Sequence, residues 1–231
     1  CGILVDLGTR EVLWEKDSRT PTPIASLSKL LTIYQVMLLL EKTDKPDLDS
    51  LVTVSHDSCS VGPVKEGLRP GEKGRSANFV EQMNRTAHEL GATTANFVNP
   101  NGLPVYRKDQ ETLMNVCSVY DLTRIAERTL EFPLVLQLTS SKSFSFRPGV
   151  TFNNTNHLLT TCPGADGLKT GYTNAAGHCL AFSCVRDGRR LIGVVTGFQK
   201  RPDCFEFCRQ LLDWGYSRAV PAQKVSTTPR T

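Results

Sequence analysis

Apolar positions alternate at the two ends of the chain and follow a helical spacing through its middle. Ile3 to Val5 and Glu11 to Trp14 are short strand-like runs on either side of Gly8, which predicts a hairpin. Pro21 and Pro23 then interrupt the chain. From Ser26 to Glu41 the residues Leu27, Leu30, Leu31, Ile33, Tyr34, Val36, Met37, Leu38, Leu39 and Leu40 cover the whole circumference of a helix, not one stripe. That pattern predicts a helix buried on every side, at the centre of a helical lobe, with Ser26 at its N-terminus. Phe79, Val80, Met83, Ala87 and Leu90 predict a second helix from Phe79 to Leu90, with Asn78 as its N-cap. Asn99-Pro100-Asn101-Gly102 is a turn cluster, and Ser118 with Asp121 forms the S-x-x-D opening of a third helix carrying Leu122, Ile125, Ala126 and Leu130.

A serine-rich, strand-like stretch runs from Ser140 to Phe146. Strands are then predicted from Lys169 to Tyr172, Cys179 to Val185 and Arg190 to Gly197, with Asp187-Gly188 turning the last two together. Pro202 opens a final helix through Leu212 and Trp214. The pattern therefore predicts an α/β (α+β) fold. An antiparallel sheet is drawn from both chain ends, about 1–25 and 160–219, and a helical lobe spans about 26–159. Residues 220–231 read as a fraying tail.

Composition narrows the function classes. The chain has 231 residues, 39% hydrophobic and 22% charged, the profile of a globular domain with room for a real core. Its 27 basic and 23 acidic residues give a net charge of +4 and are interspersed, so nothing points to a nucleic-acid partner. No stretch reaches the roughly 20 apolar residues of a membrane span. Cys1-Gly2-Ile3 already reads as strand, so membrane association is expected only through segments outside this sequence, and a lipid on Cys1 is disfavoured. The eight cysteines allow disulfides or buried thiols. At most one bond is expected from Cys204 or Cys208, which share a helix face, to Cys179 or Cys184 in the sheet. No cysteine or histidine spacing suggests a metal, and His178 and Cys179 are adjacent strand positions pointing to opposite faces, so they form no dyad. The reading requires no metal and no cofactor.

Two strings carry chemistry. Ser26-Leu27-Ser28-Lys29 sets a hydroxyl one helical turn from an amine, where a proline-punctuated loop enters the apolar helix. The helix N-terminus favours developing negative charge, and burial of Lys29 favours its neutral, basic form. Alone, the string also reads as an N-cap followed by a snorkelling lysine. Lys169-Thr170-Gly171 offers a cation and a hydroxyl for a carboxylate, and a glycine as clear space for a substrate backbone. Alone, it also reads as a polar strand and a turn glycine. The two strings in this order, with a sheet made from the chain ends, supply a nucleophile, a base and an anionic anchor for acyl transfer.

With these motifs the chain resembles the D-alanyl-D-alanine carboxypeptidase family, the low-molecular-mass penicillin-binding proteins. The similarity runs from Cys1 to about Ala219. It includes Phe79-Val80-Glu81-Gln82-Met83-Asn84, Asn99-Pro100-Asn101-Gly102-Leu103, Asn156-His157-Leu158-Leu159 and Gly164-Ala165-Asp166-Gly167-Leu168-Lys169-Thr170-Gly171-Tyr172-Thr173. The resemblance implies a β-lactamase/transpeptidase-like two-lobed architecture and a location in the bacterial cell envelope, periplasmic or extracytoplasmic. It implies Ser26 as nucleophile, Lys29 as base, Lys169, Thr170 and Gly171 as substrate-binding residues, and the backbone N–H groups of Ser26 and Tyr172 as the oxyanion hole. The partners it implies are peptidoglycan stem peptides, with β-lactam antibiotics as inhibitors.

The match departs in two places. The family's third motif, S-x-N, has a literal match in Ser76-Ala77-Asn78, but this abuts the helix starting at Phe79. The family would have roughly 30 more residues of helix–loop–helix between Lys73 and Phe79, so the block carrying the true S-x-N is expected to be deleted, diverged or omitted here; the rival reading makes Ser76 and Asn78 a shortened substitute. The smaller β domain that many relatives carry after the catalytic unit is also not in this sequence. Two other readings stay open at this point, a class A-like β-lactamase and a non-catalytic peptidoglycan-binding relic.

Overall fold

The computed structural model describes residues 1–42 and 76–218, apart from the side chains of residues 76–78, 146 and 147. The Lys73–Gly74 junction, the Ser76 and Asn78 side chains, Cys59 and the tail thus lie outside the described residues. Strands β1 (Gly2–Asp6), β2 (Val12–Lys16) and β3 (Thr22–Pro23) lead to a 3-10 turn, Ala25–Ser28, and helix α1 (Lys29–Lys42). Then come α2 (Ser76–Glu89), β4 (Val116–Cys117), α3 (Val119–Thr129), α4 (Pro133–Ser140), β5 (Ser143–Arg147), β6 (Val150–Asn153) and α5 (Leu158–Thr161). The chain closes with β7 (Ala165–Thr173), β8 (Gly177–Arg186), β9 (Arg189–Phe198) and α6 (Arg201–Ser217).

Five strands form one antiparallel sheet in the order β2-β1-β9-β8-β7, so both chain ends build it, as the alternating pattern predicts. Both faces are covered, and the period of two sorts side chains between two layers. Ile3, Ala181, Ile192 and Val194 face α1 and α3, packing with Leu27, Leu30, Leu31, Leu122, Ile125 and Ala126. Leu4, Leu180, Phe182, Leu191 and Val195 face α6, with Phe205, Leu211 and Leu212. Each of these leucines, isoleucines, valines and phenylalanines contributes roughly 1.5–3 kcal/mol by leaving water. The β1–β2 turn is tied by Asp6, whose carboxylate accepts from Gly8 N at 2.8 Å, Thr9 N at 3.2 Å and Arg189 Nε at 2.6 Å.

Several expectations need correction. Helix α1 is not buried on every side among the described residues: Leu30, Leu31, Tyr34 and Met37 are buried, while Val36 and Leu39 are 38% and 47% exposed. Helices α3 and α2 pack against it. Helix α2 begins at Ser76, so Asn78 lies inside it and is not its cap. Helix α4, with a proline in its first turn, is absent from the hydrophobic pattern because eight residues give barely two turns of periodicity. Ser118 does cap α3, accepting from Asp121 N at 3.1 Å. The Asp121 carboxylate turns away to Thr94, accepting from its N at 2.8 Å and its Oγ1 at 2.6 Å. The seven described cysteines are all free thiols, six of them buried, so no bond joins α6 to the sheet. No helix among the described residues is long and apolar enough to cross a membrane.

Candidate active site

Residues 22–29 present Ser26. Strand β3 pairs with β4 (Thr22 with Cys117, Pro23 with Val116), and Ile24 N donates to Asn115 O at 3.2 Å, which fixes the entry to the turn. Ala25 then takes φ +47°, a left-handed conformation uncommon outside glycine, and reverses the chain into the 3-10 turn and α1. Ser28 Oγ donates to Ala25 O at 2.7 Å and closes the turn from inside.

Lys29, the first residue of α1, lies one turn beyond Ser26. Its Nζ donates to Ser26 Oγ at 3.0 Å and to the backbone carbonyl of Asn101 at 2.5 Å. Burial lowers the pKa of Lys29 below the ordinary lysine value, because a low-dielectric surrounding penalises its charged form. The Asn101 carbonyl is delivered by the Asn99–Leu103 turn. Asn99 Oδ1 accepts from Asn101 N at 3.2 Å and Gly102 N at 2.7 Å, and Asn101 Oδ1 accepts from Leu103 N at 2.8 Å. Gly102 sits at φ +82°, and a Cβ there would come within 2.0 Å of Ala25 O, so only glycine lets this turn press on the Ser26 turn.

Asn115 ties the two turns together and was not singled out from sequence. It is 2% exposed. Its Nδ2 donates to Ser28 Oγ and to Asn99 O, both at 2.8 Å, and its Oδ1 accepts from Val98 N at 2.7 Å and Asn99 N at 3.2 Å. A lone asparagine between motifs carries no periodic signal. Its nearest sequence cue is the turn cluster it supports.

The other wall is β7, an edge strand. Its register against β8, Lys169 with Ala181, Thr170 with Leu180, Gly171 with Cys179 and Tyr172 with His178, puts Lys169 and Gly171 on the helical-lobe face and Thr170 and Tyr172 on the other. A Cβ on Gly171 would lie 3.2 Å from Ser26 N, 3.3 Å from Ala25 Cβ and 3.4 Å from Ile24 O. The absent side chain therefore makes room for the protein's own Ser26 turn. Lys169 Nζ donates to Thr170 O at 2.8 Å. Burial, reinforced by the charge of Lys29, pushes the Lys169 pKa down to about 8. His178 stacks on Tyr172, ring centroids 4.4 Å apart, while Cys179 is buried toward the helical lobe, so the two share no chemistry.

A cavity of about 320 Å³ opens between these walls, lined by Ser26, Lys169, Thr170, Gly171 and Tyr172 and, toward α6, by Thr155 and Arg201. The sequence-predicted residues thus converge. A hydroxyl hydrogen-bonded to a desolvated amine stands beside a strand with a second lysine and a threonine. Among the described residues no group of histidine, cysteine or acidic side chains could hold a metal ion.

Fold and cleft define a class: two-lobed α/β proteins with a serine–lysine pair at the head of the first helix of the helical lobe and a lysine–threonine–glycine edge strand beside it. The chain belongs to the D-alanyl-D-alanine carboxypeptidase family, whose sequence profile matches residues 1–73 and 70–200. It is 31% identical to a D-alanyl-D-alanine endopeptidase of Pseudomonas aeruginosa, over 95% of this chain and 79% of that protein. It is 28% identical to the D-alanyl-D-alanine carboxypeptidase DacF of Bacillus subtilis, over 94% of this chain. There the match spans 61% of the relative's length. Among solved structures it superimposes on penicillin-binding protein D2 of Listeria monocytogenes in an ampicillin-bound form with a TM-score of 0.73, at 26% identity, covering 93% of this chain and 96% of that one.

Proposed function

We propose that the chain is a serine-type D-Ala-D-Ala carboxypeptidase that removes the terminal D-Ala of peptidoglycan stem peptides and is acylated by penicillins. The observation carrying this reading is the 3.0 Å contact of Lys29 Nζ with Ser26 Oγ, next to the strand position Gly171 that packs against Ser26 N.

In this mechanism Lys169 and Thr170 hold the terminal carboxylate. Neutral Lys29 takes the Ser26 hydroxyl proton as Oγ bonds to the penultimate D-Ala carbonyl carbon. The N–H groups of Ser26 and Tyr172 stabilise the oxyanion. The C–N bond breaks, Lys29 returns the proton to the departing amine, and D-Ala leaves. Water, deprotonated in turn by Lys29, then attacks the ester carbon, and the C–Oγ bond breaks as Lys29 returns the proton to Ser26 Oγ. A penicillin forms the same ester, but its leaving group stays tethered. The catalytic unit spans residues 1–219, its sheet lobe about 1–25 and 160–219 and its helical lobe about 26–159. The setting is the bacterial cell envelope, on its periplasmic or extracytoplasmic side, where stem peptides are found.

Intact mass spectrometry after incubation with benzylpenicillin tests this. The expected result is one adduct of the antibiotic's mass on the wild type and none on Ser26→Ala, with release of D-Ala from an N-acylated D-Ala-D-Ala peptide by the wild type alone. An adduct that persists in Ser26→Ala would overturn the assignment.

A further inference from the structure

The far end of the cleft contains a connection that neither motif accounts for. Thr155, in the loop between β6 and α5, places its Oγ1 2.7 Å from Thr170 Oγ1. Arg201, the first residue of α6, donates from Nη2 to Thr155 O at 2.8 Å, and its guanidinium lies over the Phe205 ring, 5.6 Å from the centroid. All four residues line the cavity that holds Ser26. The edge-strand hydroxyl is thus met by Thr155 directly, and Arg201 joins the series through the Thr155 backbone carbonyl.

A threonine hydroxyl has one proton and free rotation about its C–O bond. Next to a carboxylate, Thr170 is useful only as a donor. If Thr155 donates to Thr170 Oγ1, the Thr170 proton is free to point into the cavity, and each bond in the series Thr155–Thr170–carboxylate polarises the next. If Thr155 is lost, the Thr170 rotor is free and its donor must be ordered on binding. Arg201 holds the Thr155 backbone, so the Thr155 side chain meets Thr170 in a fixed pose.

We propose that Thr155 is a positioning residue that orients the Thr170 hydroxyl toward a substrate carboxylate, with Arg201 as its anchor, and that this relay selects ligands ending in a free carboxylate. The inference rests on the carboxypeptidase reading for the identity of that carboxylate. The relay acts on ground-state recognition, so it governs KM and leaves the acylation chemistry at Ser26 unchanged.

The test compares Thr155→Val, which keeps the shape and removes the hydroxyl, with Thr155→Ser, which restores it. Two N-acylated D-Ala-D-Ala peptides serve as probes, one with a free C-terminal carboxylate and one with a C-terminal carboxamide. For the carboxylate peptide, Thr155→Val is expected to raise KM about tenfold, the worth of one hydrogen bond to a charged group, with kcat within about twofold. KM for the carboxamide should not move. Thr155→Ser should restore the wild-type value, and Arg201→Gln should shift KM in the same direction as Thr155→Val. The same pair of peptides is titrated calorimetrically into the Ser26→Ala protein with and without Thr155→Val, so the preference is read as Kd even with no turnover. A wild type that binds the carboxylate peptide but releases no D-Ala speaks against the proposed reaction, and the Kd ratio still decides on Thr155. An unchanged carboxylate-to-carboxamide ratio in Thr155→Val, or a ratio that Thr155→Ser fails to restore, overturns the inference.

Discussion

Asn115→Asp is the sharpest test of how the site is held. The two side chains have the same shape, so no cavity contributes. Two contacts change sign. Where Nδ2 now donates to Ser28 Oγ and Asn99 O at 2.8 Å, a carboxylate oxygen would face two oxygens, one of them on a hydroxyl whose proton is already used on Ala25 O. Each lost bond is worth about 1 kcal/mol, and each buried group left facing a like pole costs about 1–3 kcal/mol more. The bonds from Val98 N and Asn99 N survive and strengthen toward a charged acceptor. The net expectation is a loss of about 2–4 kcal/mol at pH 7. Burial raises the new carboxyl's pKa, and once protonated it donates again, so the deficit should shrink as pH falls toward 5. Urea unfolding at both pH values reads the stability. A time course of fluorescent-penicillin labelling reads the site and should slow by at least about tenfold, because the Asn101 carbonyl on Lys29 loses its support. A midpoint equivalent to less than about 0.5 kcal/mol at pH 7, or a deficit that grows on acidification, would refute the reasoning.

Four further outcomes are expected. Gly171→Ala forces the Ser26 turn back by a few tenths of an ångström, since the new Cβ would stand 3.2 Å from Ser26 N. It should destabilise by about 1–3 kcal/mol in urea unfolding and slow penicillin labelling, whereas Gly188→Ala, strained by its φ of +76° but far from Ser26, should leave labelling unchanged. Acylation should speed up as pH rises through the lowered Lys29 pKa, and KM for a carboxylate-terminated peptide should rise above pH about 8 as Lys169 loses its charge, a limb that Lys169→Arg removes from the pH profile. The same depressed pKa makes stability rise with pH: between about 8 and the ordinary 10.5 the unfolded chain holds a proton on Lys169 that the folded one lacks, and Lys169→Met should flatten that part of the curve in urea unfolding. Alkylation of unfolded, unreduced protein should modify all seven described cysteines, and peptide mapping that found Cys204 or Cys208 joined to Cys179 or Cys184 would contradict the thiol state.

The sheet was legible because its strands alternate with a period of two and are separated by turn residues such as Gly8 and Asp187-Gly188, so local pattern and tertiary placement agree. The Ser26–Lys29 pair was legible because one helical turn fixes its geometry wherever the helix packs. Gly171 was legible as a position without a side chain but not for what fills the gap, since an approach between residues 26 and 171 has no local signature. Asn115, Thr155 and Arg201 were missed for a related reason. Their partners lie in other segments, and single polar residues between motifs look like any solvated loop. Among the described residues the apolar circumference of α1 is only partly covered, since a side chain's character states what it would gain from burial and not which neighbour provides it.

The sheet order also has a bearing on how the protein is made. β1 sits inside the sheet between β2 and β9, with Gly2 opposite Val195 and Leu4 opposite Gly193. On the ribosome β1 thus waits for β9, far along the chain, and bringing such distant segments together costs about 5 kcal/mol of chain entropy before any contact repays it. Until then the helices that rest on this floor have no surface to pack against. This sheet should stay open until β9 has been made and then close slowly, as high contact order dictates.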